Sequence, residues 1–598
     1  MAVLATAGHV DHGKSTLVQR LTGIDPDRWE EEKRRGLTID LGFAWMTLPD
    51  GRELGIVDVP GHERFIGNML AGVTSVASVL FVVDATEGWK PQSEEHLQIL
   101  DLMGVDRCVV AMTKSDLADA DQLEDRRAEI EARLDGTSLH GSPIIPVSAI
   151  TGDGMDPLIA AITEMVNLET SAPTGRARMF IDRSFTIAGA GTVVTGTLAE
   201  GRLHVGEEIQ VLPSGISAKI RSIQSHMTKR DPAEPVSRVA VNLSGISKHD
   251  VARGQALVSG GPWMTSRELI AIVRLTRTAQ HLKARGAFTV HLGTANGPAR
   301  LRFFDPGTGG ELSEIAAGTD ALALIRFDEP QPALPLDRII IRDTGGRRVI
   351  AGGMILDIDP MRPPDVGVAS RAHLSSRQEV AVDTCTRRGP TRIQSLLAAC
   401  GLDEVPEQLV TVGDLAMTST QLQDLDAQLG RALRAFHDSD PVAAGAPRPE
   451  MLAQLGWDAS LLEAMVADDR TCAVSEGSLI RGADFRVRLP EGTEDLVEQI
   501  EAAGLRPPTP AELEASPDLL EALVRAGRLV RIGDLIFAAT TVEAAGAKLR
   551  EILGRGPATT SELRKALGTS RRYAIPLLEH FDRIRLTRFD GEHRSLVQ

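Results

Sequence analysis

The amino-acid sequence predicts a multidomain chain: an α/β phosphate-loop (P-loop) domain, two all-β barrel domains and C-terminal tandem winged-helix modules. Three observations predict it. Gly8-His9-Val10-Asp11-His12-Gly13-Lys14-Ser15 fits G-x-x-x-x-G-K-[ST] between an apolar strand and a helix. After Pro173, short β-branched runs punctuated by glycine and proline take over. Beyond Pro360 the pattern turns helical, and Leu-Leu-Glu recurs at 461–463, 519–521 and 577–579, a spacing of 58 residues.

These breaks divide the 598 residues into segments 1–172, 173–261, 262–364, 365–440, 441–488, 489–541 and 542–598. Several domains are expected, because single cores stop growing near ~250–300 residues. A composition 42% hydrophobic and 25% charged is that of a globular chain, not a disordered one. Cys108, Cys385, Cys400 and Cys472 show no C-x-x-C pairing, which argues against a zinc site or a disulfide framework. Met1 to Ala7 reads as a strand, since no basic region or cleavage site marks it as a signal peptide. No apolar run reaches the ~20 residues a bilayer requires, so a cytoplasmic, monomeric protein with no membrane partner is expected. The net charge of −17 bears on solubility, whereas nucleic-acid binding depends on where basic residues cluster.

In the first segment the glycines let backbone N–H groups turn onto phosphates at a helix N-terminus, the helix starting near Ser15-Thr16-Leu17. Lys14 reaches the β and γ phosphates, and the Ser15 hydroxyl binds Mg²⁺. Asp58-Val59-Pro60-Gly61 ends a second apolar strand, where the Asp58 carboxylate holds the Mg²⁺ shell and the Gly61 N–H senses a γ-phosphate. Thr113-Lys114-Ser115-Asp116 follows a third strand, and the acceptor-only Asp116 takes two donors from a guanine edge. Ser148-Ala149, after a fourth strand, completes the base pocket. Four motifs, each at the carboxyl end of a strand, sit where a doubly wound sheet binds its ligand. The nucleotide implied is GTP with Mg²⁺.

Gly8 to Ser15, together with Arg35-Gly36-Leu37-Thr38-Ile39 and Asp58 to Glu63, resembles the elongation-factor-Tu class of translational GTPases. The resemblance implies that Thr38 closes on Mg²⁺ and the γ-phosphate. It also implies that His62 positions the hydrolytic water, with Val10 and Leu37 as a hydrophobic gate in front of it. Thr113 departs from the class, which has Asn there, so guanine selectivity is expected to rest chiefly on Asp116.

In the second segment, Ile181-Asp182-Arg183-Ser184-Phe185-Thr186 and the run Val193 to Thr197 resemble domain two of the selenocysteine-specific elongation factors. Asp182, Arg183 and Arg238 match the positions that line the aminoacyl pocket in that family. A selenol is far more acidic than a hydroxyl, so two arginines would favour a selenolate over a serine ester. Read without the resemblance, the arginines could equally pair with Asp182 or other acids on the barrel surface.

Three helices followed by a hairpin, with Gly477, Gly533 and Gly591 at the tips, is the winged-helix pattern. In the last module Ser570 is a candidate N-cap, and Ala574, Leu577, Leu578 and Phe581 form an inner helical face that Pro576 interrupts. Between 555 and 594, nine basic residues outnumber five acids, a local +4. Arg571 and Arg572 open the recognition helix, where side chain and helix dipole can address phosphates together, although a solvated basic face has the same composition. Ser570 to Ile575 with Phe581 to Ile584 resembles the terminal winged helix of the same family, which implies that Arg571 and Arg572 contact a hairpin in selenoprotein messenger RNA.

The reading is therefore a GTPase that carries selenocysteinyl-tRNA to the ribosome, anchored on a messenger RNA hairpin. Two alternatives remain open from sequence: a GTPase carrying general aminoacyl-tRNA or initiator-tRNA, and a DNA-binding regulator that uses its nucleotide domain as a sensor.

Overall fold

In a computed structural model, the structure describes residues 2–26, 41–61, 69, 78–167, 175–189, 191–345, 348–360, 366–486 and 492–597. The chain divides into two compact units, Met1–Leu409 and Val410–Gln598.

The first unit opens with a six-stranded sheet: β1 (Ala2–Ala7), β2 (Gly42–Thr47), β3 (Glu53–Asp58), β4 (Ser78–Asp84), β5 (Arg107–Thr113) and β6 (Ile144–Pro146), in the order β2-β3-β1-β4-β5-β6. Strands β3, β1, β4, β5 and β6 are parallel, and β2 runs antiparallel along the β3 edge. Every residue of β4 is buried, as expected of a central parallel strand covered on both faces. Helices α1 (Lys14–Thr22) and α4 (Met155–Asn167) cover one face, where Leu17, Val18, Leu158 and Ile162 meet Leu4, Ile56, Leu80 and Val109. Helices α2 (Pro91–Met103) and α3 (Ala120–Leu134) cover the other, where Leu97, Leu100 and Ile130 meet Ala5, Val57, Phe81 and Val110. Local chemistry sets the helix ends. Pro91 starts α2, Gly104 ends it in the left-handed region, and Asp119 and Gln122 form a capping box on α3.

The first barrel comprises β7 (Arg178–Ile187), β8 (Gly191–Glu200), β9 (Glu208–Leu212), β10 (Ile216–Ser225), β11 (Thr228–Arg230), β12 (Ser237–Ser244) and β13 (Ala256–Ser259). Its sheet closes through the β9–β10 pairing. A second antiparallel sheet, between Ser266 and Asp357, closes in the same way. Alternation fills both interiors: in β12, Val239, Val241 and Leu243 point inward, with the half-buried Ala240 and Asn242 between them.

The phosphate-loop domain meets both barrels. Ile340 and Val349 of the second barrel join the core beneath α2. Trp45 of β2 stacks on His226 of the first barrel with centroids 5.8 Å apart, beside an Arg230–Glu53 ion pair of 2.6 Å. The barrels are tied together by a buried cluster in which Arg178 bonds Glu200 at 3.1 Å and Asp337 at 2.5 Å. Arg377, at the start of α5 (Arg377–Arg388), pairs with the same Glu200, and α6 (Ile393–Cys400) follows.

The second unit starts in a hairpin (Leu415–Thr418 is its second strand) and repeats a helix–hairpin motif. Helices α7 (Ser419–Ser439), α8 (Arg448–Leu455) and α9 (Ala459–Ala467) precede the hairpin 473–482. Helices α10 (Thr493–Ala502) and α11 (Pro517–Arg525) precede the hairpin 529–538. Helices α12 (Ala539–Leu553), α13 (Thr560–Leu567) and α14 (Arg571–Arg583) precede the hairpin 587–596. The three Leu-Leu-Glu triplets fall on α9, α11 and α14, the helix before each hairpin, and their central leucines Leu462, Leu520 and Leu578 are buried. Gly477, Gly533 and Gly591 make the hairpin turns with φ of 62°, 61° and 107°. The middle repeat has two helices among its described residues instead of three. Pro508 and Pro510 stand where its second helix would begin and disfavour helical backbone at the residues before them, Pro507 and Thr509. No helix among the described residues is long and apolar enough to cross a membrane.

Candidate functional site

At the carboxyl end of β1 the chain turns sharply into α1. Gly8 (φ +128°), Asp11 (φ +65°) and Gly13 (φ +83°) bend the backbone around a concavity, and Gly13 stands at the N-cap of α1. A Cβ at Gly8 would lie 2.2 Å from the Val82 carbonyl oxygen, so this turn admits only glycine. Lys14 is buried and its Nζ donates to the Gly8 and His9 carbonyls at 3.0 and 2.6 Å, which holds the ammonium over the loop. Gly61 closes the opposite side, where a Cβ would approach Lys14 Nζ to 2.5 Å and Val10 N to 2.7 Å. Thr16 lies exposed on the first turn of α1.

Two groups that reach the loop from α2 have no counterpart in the motif string. Gln92 Oε1 accepts from the Val10 N–H at 3.0 Å, and His96 Nδ1 accepts from the Gly8 N–H at 2.9 Å. The second bond requires a neutral imidazole. Burial pushes His96 down to about 3 and, with His9 adding to it, pushes the fully buried His12 down to about 4. Both rings therefore bind protons more readily unfolded, near 6.5, than folded. Their contribution is complete above pH 6.5 and is lost as pH falls from there toward 3. At pH 5.5 each costs about 1.4 kcal/mol. Calorimetry should show the phosphate-loop domain melting earlier at pH 5.5 than at 7.5, and His96→Asn, which keeps an acceptor, should remove the His96 share of that shift.

Of the three residues expected to hold Mg²⁺, the two that are described, Ser15 and Asp58, touch. Ser15 Oγ donates to Asp58 Oδ2 at 2.7 Å, and the Thr6 hydroxyl donates to Asp58 Oδ1 at 2.7 Å. A hydroxyl and a buried carboxylate side by side at the phosphate end of the sheet are hard oxygen donors that suit Mg²⁺. Among the described residues no cluster of three His, Cys, Asp or Glu could hold a metal, but Mg²⁺ takes one or two protein ligands and completes its shell with phosphates and water. Thr38, Leu37 and His62 lie outside the described residues. Of the gate pair, Val10 is described, half-buried and held by Gln92.

The base end is built from the loops after β5 and β6. Asp116 is exposed in the short turn Ser115–Leu117. The hydroxyl of Thr113 donates to the His12 carbonyl at 2.7 Å, so this residue ties the loop after β5 to the phosphate loop. Lys114 donates to the Asp11 carbonyl at 3.1 Å and pairs with the buried Asp84 at 2.6 Å, which fixes its stem along the pocket wall. Ser148 is buried, its hydroxyl accepting from the Thr151 N–H at 3.1 Å, and Ala149 is half-buried beside it. Leu117 and Ile150, in the loops after β5 and β6, are 68% and 78% exposed despite their apolar side chains. Sequence reasoning missed both, as it missed Asp84, Gln92 and His96.

The second candidate site lies between the phosphate-loop domain and the first barrel. A cavity of about 180 Å³ is lined by Phe43, Trp45, Arg183, Thr195, His226 and Arg238, among others. Arg238 forks onto Asp182, with Nη2 to Oδ1 at 2.9 Å and Nη1 to Oδ2, and Thr195 Oγ1 donates to Oδ1 at 2.7 Å. Arg183 Nη2 donates to the Leu41 carbonyl at 2.6 Å. Of the three predicted residues, Arg183 and Arg238 line this space, and Asp182 stands behind it as the partner of Arg238.

In the last module Arg571 and Arg572 are exposed at the start of α14, with Arg572 5.5 Å from the Tyr573 ring centroid. Ser570 occupies the N-cap position, but its side chain makes no capping bond. The helix continues through Pro576, which has no N–H to offer the Arg572 carbonyl. Arg594, counted in the basic cluster, is buried and bonds Asp582 at 2.9 Å and Thr560 at 2.7 Å, so its charge is neutralised inside the module.

Comparison with known families fits this architecture. Residues 1–168 match the elongation factor Tu GTP binding domain and residues 191–258 match elongation factor Tu domain 2. With nucleotide site and barrels joined in this order, the chain is a translational GTPase. Residues 270–362 match the β-barrel domain of selenocysteine-specific elongation factors, and 550–596 match the winged helix of elongation factor SelB. A selenocysteine-specific elongation factor from Desulfomicrobium baculatum is 32% identical, with 99% of each chain covered. The crystal structure of a bacterial selenocysteine-specific elongation factor, EF-Sec, superposes with a TM-score of 0.71 at 25% identity over 100% of both chains. SelB from Methanococcus maripaludis, solved with the GTP analogue GppNHp, covers 60% of this chain and 80% of its own, with a TM-score of 0.53 and 31% identity. The chain belongs to the family of selenocysteine-specific elongation factors.

Proposed function

We propose that this elongation factor binds GTP in the phosphate loop, carries selenocysteinyl-tRNA on the first barrel and anchors itself to a hairpin in selenoprotein messenger RNA while delivering the tRNA to the ribosome in the cytoplasm. The observation that carries this reading is the convergence of Arg183 and Arg238, the latter paired with Asp182, on one cavity beside the nucleotide domain. Half-buried cationic donors reward an anionic selenolate and leave a neutral serine ester with nothing to offer them.

In this reading Lys14 and the loop N–H groups cradle the phosphates, and the Gly61 N–H detects the third phosphate. Ser15, Asp58 and Thr38 hold Mg²⁺, which when bound neutralises charge on the β and γ phosphates. His62 orients the attacking water once the ribosome docks, with Val10 and Leu37 keeping water away before then. Asp116 selects guanine, supported by Lys114, Ser148 and Ala149. In the second unit the uncapped first turn of α14 and the exposed Arg571 and Arg572 support contacts to RNA phosphates. Tethering one end to the messenger raises the local concentration of the other at the ribosome.

The test is co-binding. The GTP-loaded full chain should hold selenocysteinyl-tRNA and the messenger hairpin in one complex, sized by light scattering. Arg571→Ala with Arg572→Ala should keep the tRNA, weaken the hairpin ~10–100-fold and reduce the salt slope by about 2. Mutual exclusion of the two RNAs, or an unchanged hairpin affinity and slope, would contradict the reading.

A further inference from the structure

Strand β2 places an aromatic ring against the arginine pair. Arg238 Cζ lies 3.7 Å from the Phe43 ring centroid and Arg183 Cζ lies 5.0 Å from it. Two residues earlier on the same stretch, the Leu41 carbonyl accepts from Arg183 Nη2 at 2.6 Å. Arg238 meanwhile spends both Nη groups on Asp182. The donors expected to meet an aminoacyl group are therefore directed at acceptors and a π face belonging to the chain itself.

The same strand reaches the nucleotide site. In the β2–β3 ladder Phe43 stands opposite Val57, and Gly42 stands opposite Asp58, whose carboxylate accepts from Ser15. There is no slack at that point, because a Cβ on Gly42 would lie 2.9 Å from Pro26 Cβ and 3.1 Å from Asp58 Cβ. A displacement of the backbone at Asp58 passes to Gly42 and, one residue on, to the ring beneath both guanidiniums.

We propose that Phe43 is a positioning residue through which the nucleotide site sets the arginine pocket: its ring holds Arg183 and Arg238 on their internal partners, and the aminoacyl group is taken up when β2 moves and releases them. This rests on the reading of Arg183 and Arg238 as aminoacyl contacts. An internal competitor lowers apparent affinity by the fraction of pockets it keeps closed, and a nucleotide that shifts β2 changes that fraction. It also sharpens selectivity. A selenolate replaces what the guanidiniums give up on leaving the ring and the Leu41 carbonyl, whereas a serine hydroxyl does not.

The test uses the full chain with Phe43→Leu, which keeps apolar bulk and removes the π face. Affinity for selenocysteinyl-tRNA is measured with GDP and with a non-hydrolysable GTP analogue. The expected result is a rise of about tenfold in the GDP state, the size of one or two desolvated cation–ring contacts, and a change below about twofold in the GTP state. Phe43→Tyr, which restores a ring, should restore the wild-type ratio between the two states. An equal change in both states, a fall in both, or no change in either would overturn the inference. Arg183→Ala in the same assay separates the two levels. If selenocysteinyl preference survives that change, the underlying pocket reading fails. If the preference is lost while Phe43→Leu leaves the GTP-to-GDP ratio untouched, the role of Phe43 alone fails.

Discussion

Lys14→Ala lowers the affinity for GTP by roughly 10²–10³-fold, corresponding to about 3–4 kcal/mol from two charge-assisted contacts. The expectation follows from how the side chain is held. Lys14 is 6% exposed, and its ammonium is fixed by the Gly8 and His9 carbonyls inside a loop whose other inward groups are backbone N–H donors. No other side chain among the described residues of the loop carries a positive charge to that point, since burial holds His12 neutral. Displacement of a fluorescent GTP analogue measures the loss, and intact circular dichroism shows that the fold survives. A variant that binds GTP within about threefold of wild type would mean that the loop N–H groups and α1 suffice without the lysine.

Arg183→Ala is expected to weaken selenocysteinyl-tRNA binding ~10–100-fold and to leave seryl-tRNA binding nearly unchanged, so the preference collapses. The same deletion at Arg238 is harder to interpret. It would strand the Asp182 carboxylate, which is 7% exposed and takes both Nη groups of Arg238, and such a loss costs stability as well as binding. The paired change Asp182→Asn with Arg238→Gln removes both charges together and keeps hydrogen-bonding capacity. It should reduce the preference without the folding penalty. Parallel losses for both aminoacyl forms would instead assign the arginines to barrel architecture, the alternative that the Arg238–Asp182 pairing by itself would equally support.

The nucleotide site was legible in the sequence because its chemistry is local: each motif occupies a few consecutive residues at the end of an apolar run, and the sheet brings those ends together. The contacts that were not legible cross long stretches of chain. Gln92 and His96 reach the loop from 82 and 88 residues away, and nothing in α2 distinguishes them from ordinary polar helix positions. Phe43 sits in a short apolar run, and its position under two arginines of the barrel depends on how the domains dock. Charge counting also overreached in the last module. It cannot tell Arg571 and Arg572, which face solvent, from Arg594, which is neutralised by Asp582. Thr113 shows the opposite case. Its departure from Asn was visible in sequence, and its use as a clamp on the His12 carbonyl emerged only from the fold.

In this reading the GTPase selects one aminoacyl group by its charge. The most direct test is the affinity of the GTP-loaded protein for a single selenocysteine tRNA charged either with selenocysteine or with serine. A preference for the selenocysteinyl form of about tenfold to a hundredfold is expected, the cost of leaving one partly desolvated charged donor unpaired. Equal affinity for the two forms would contradict it, leaving a translational GTPase whose arginine pair has no part in selection.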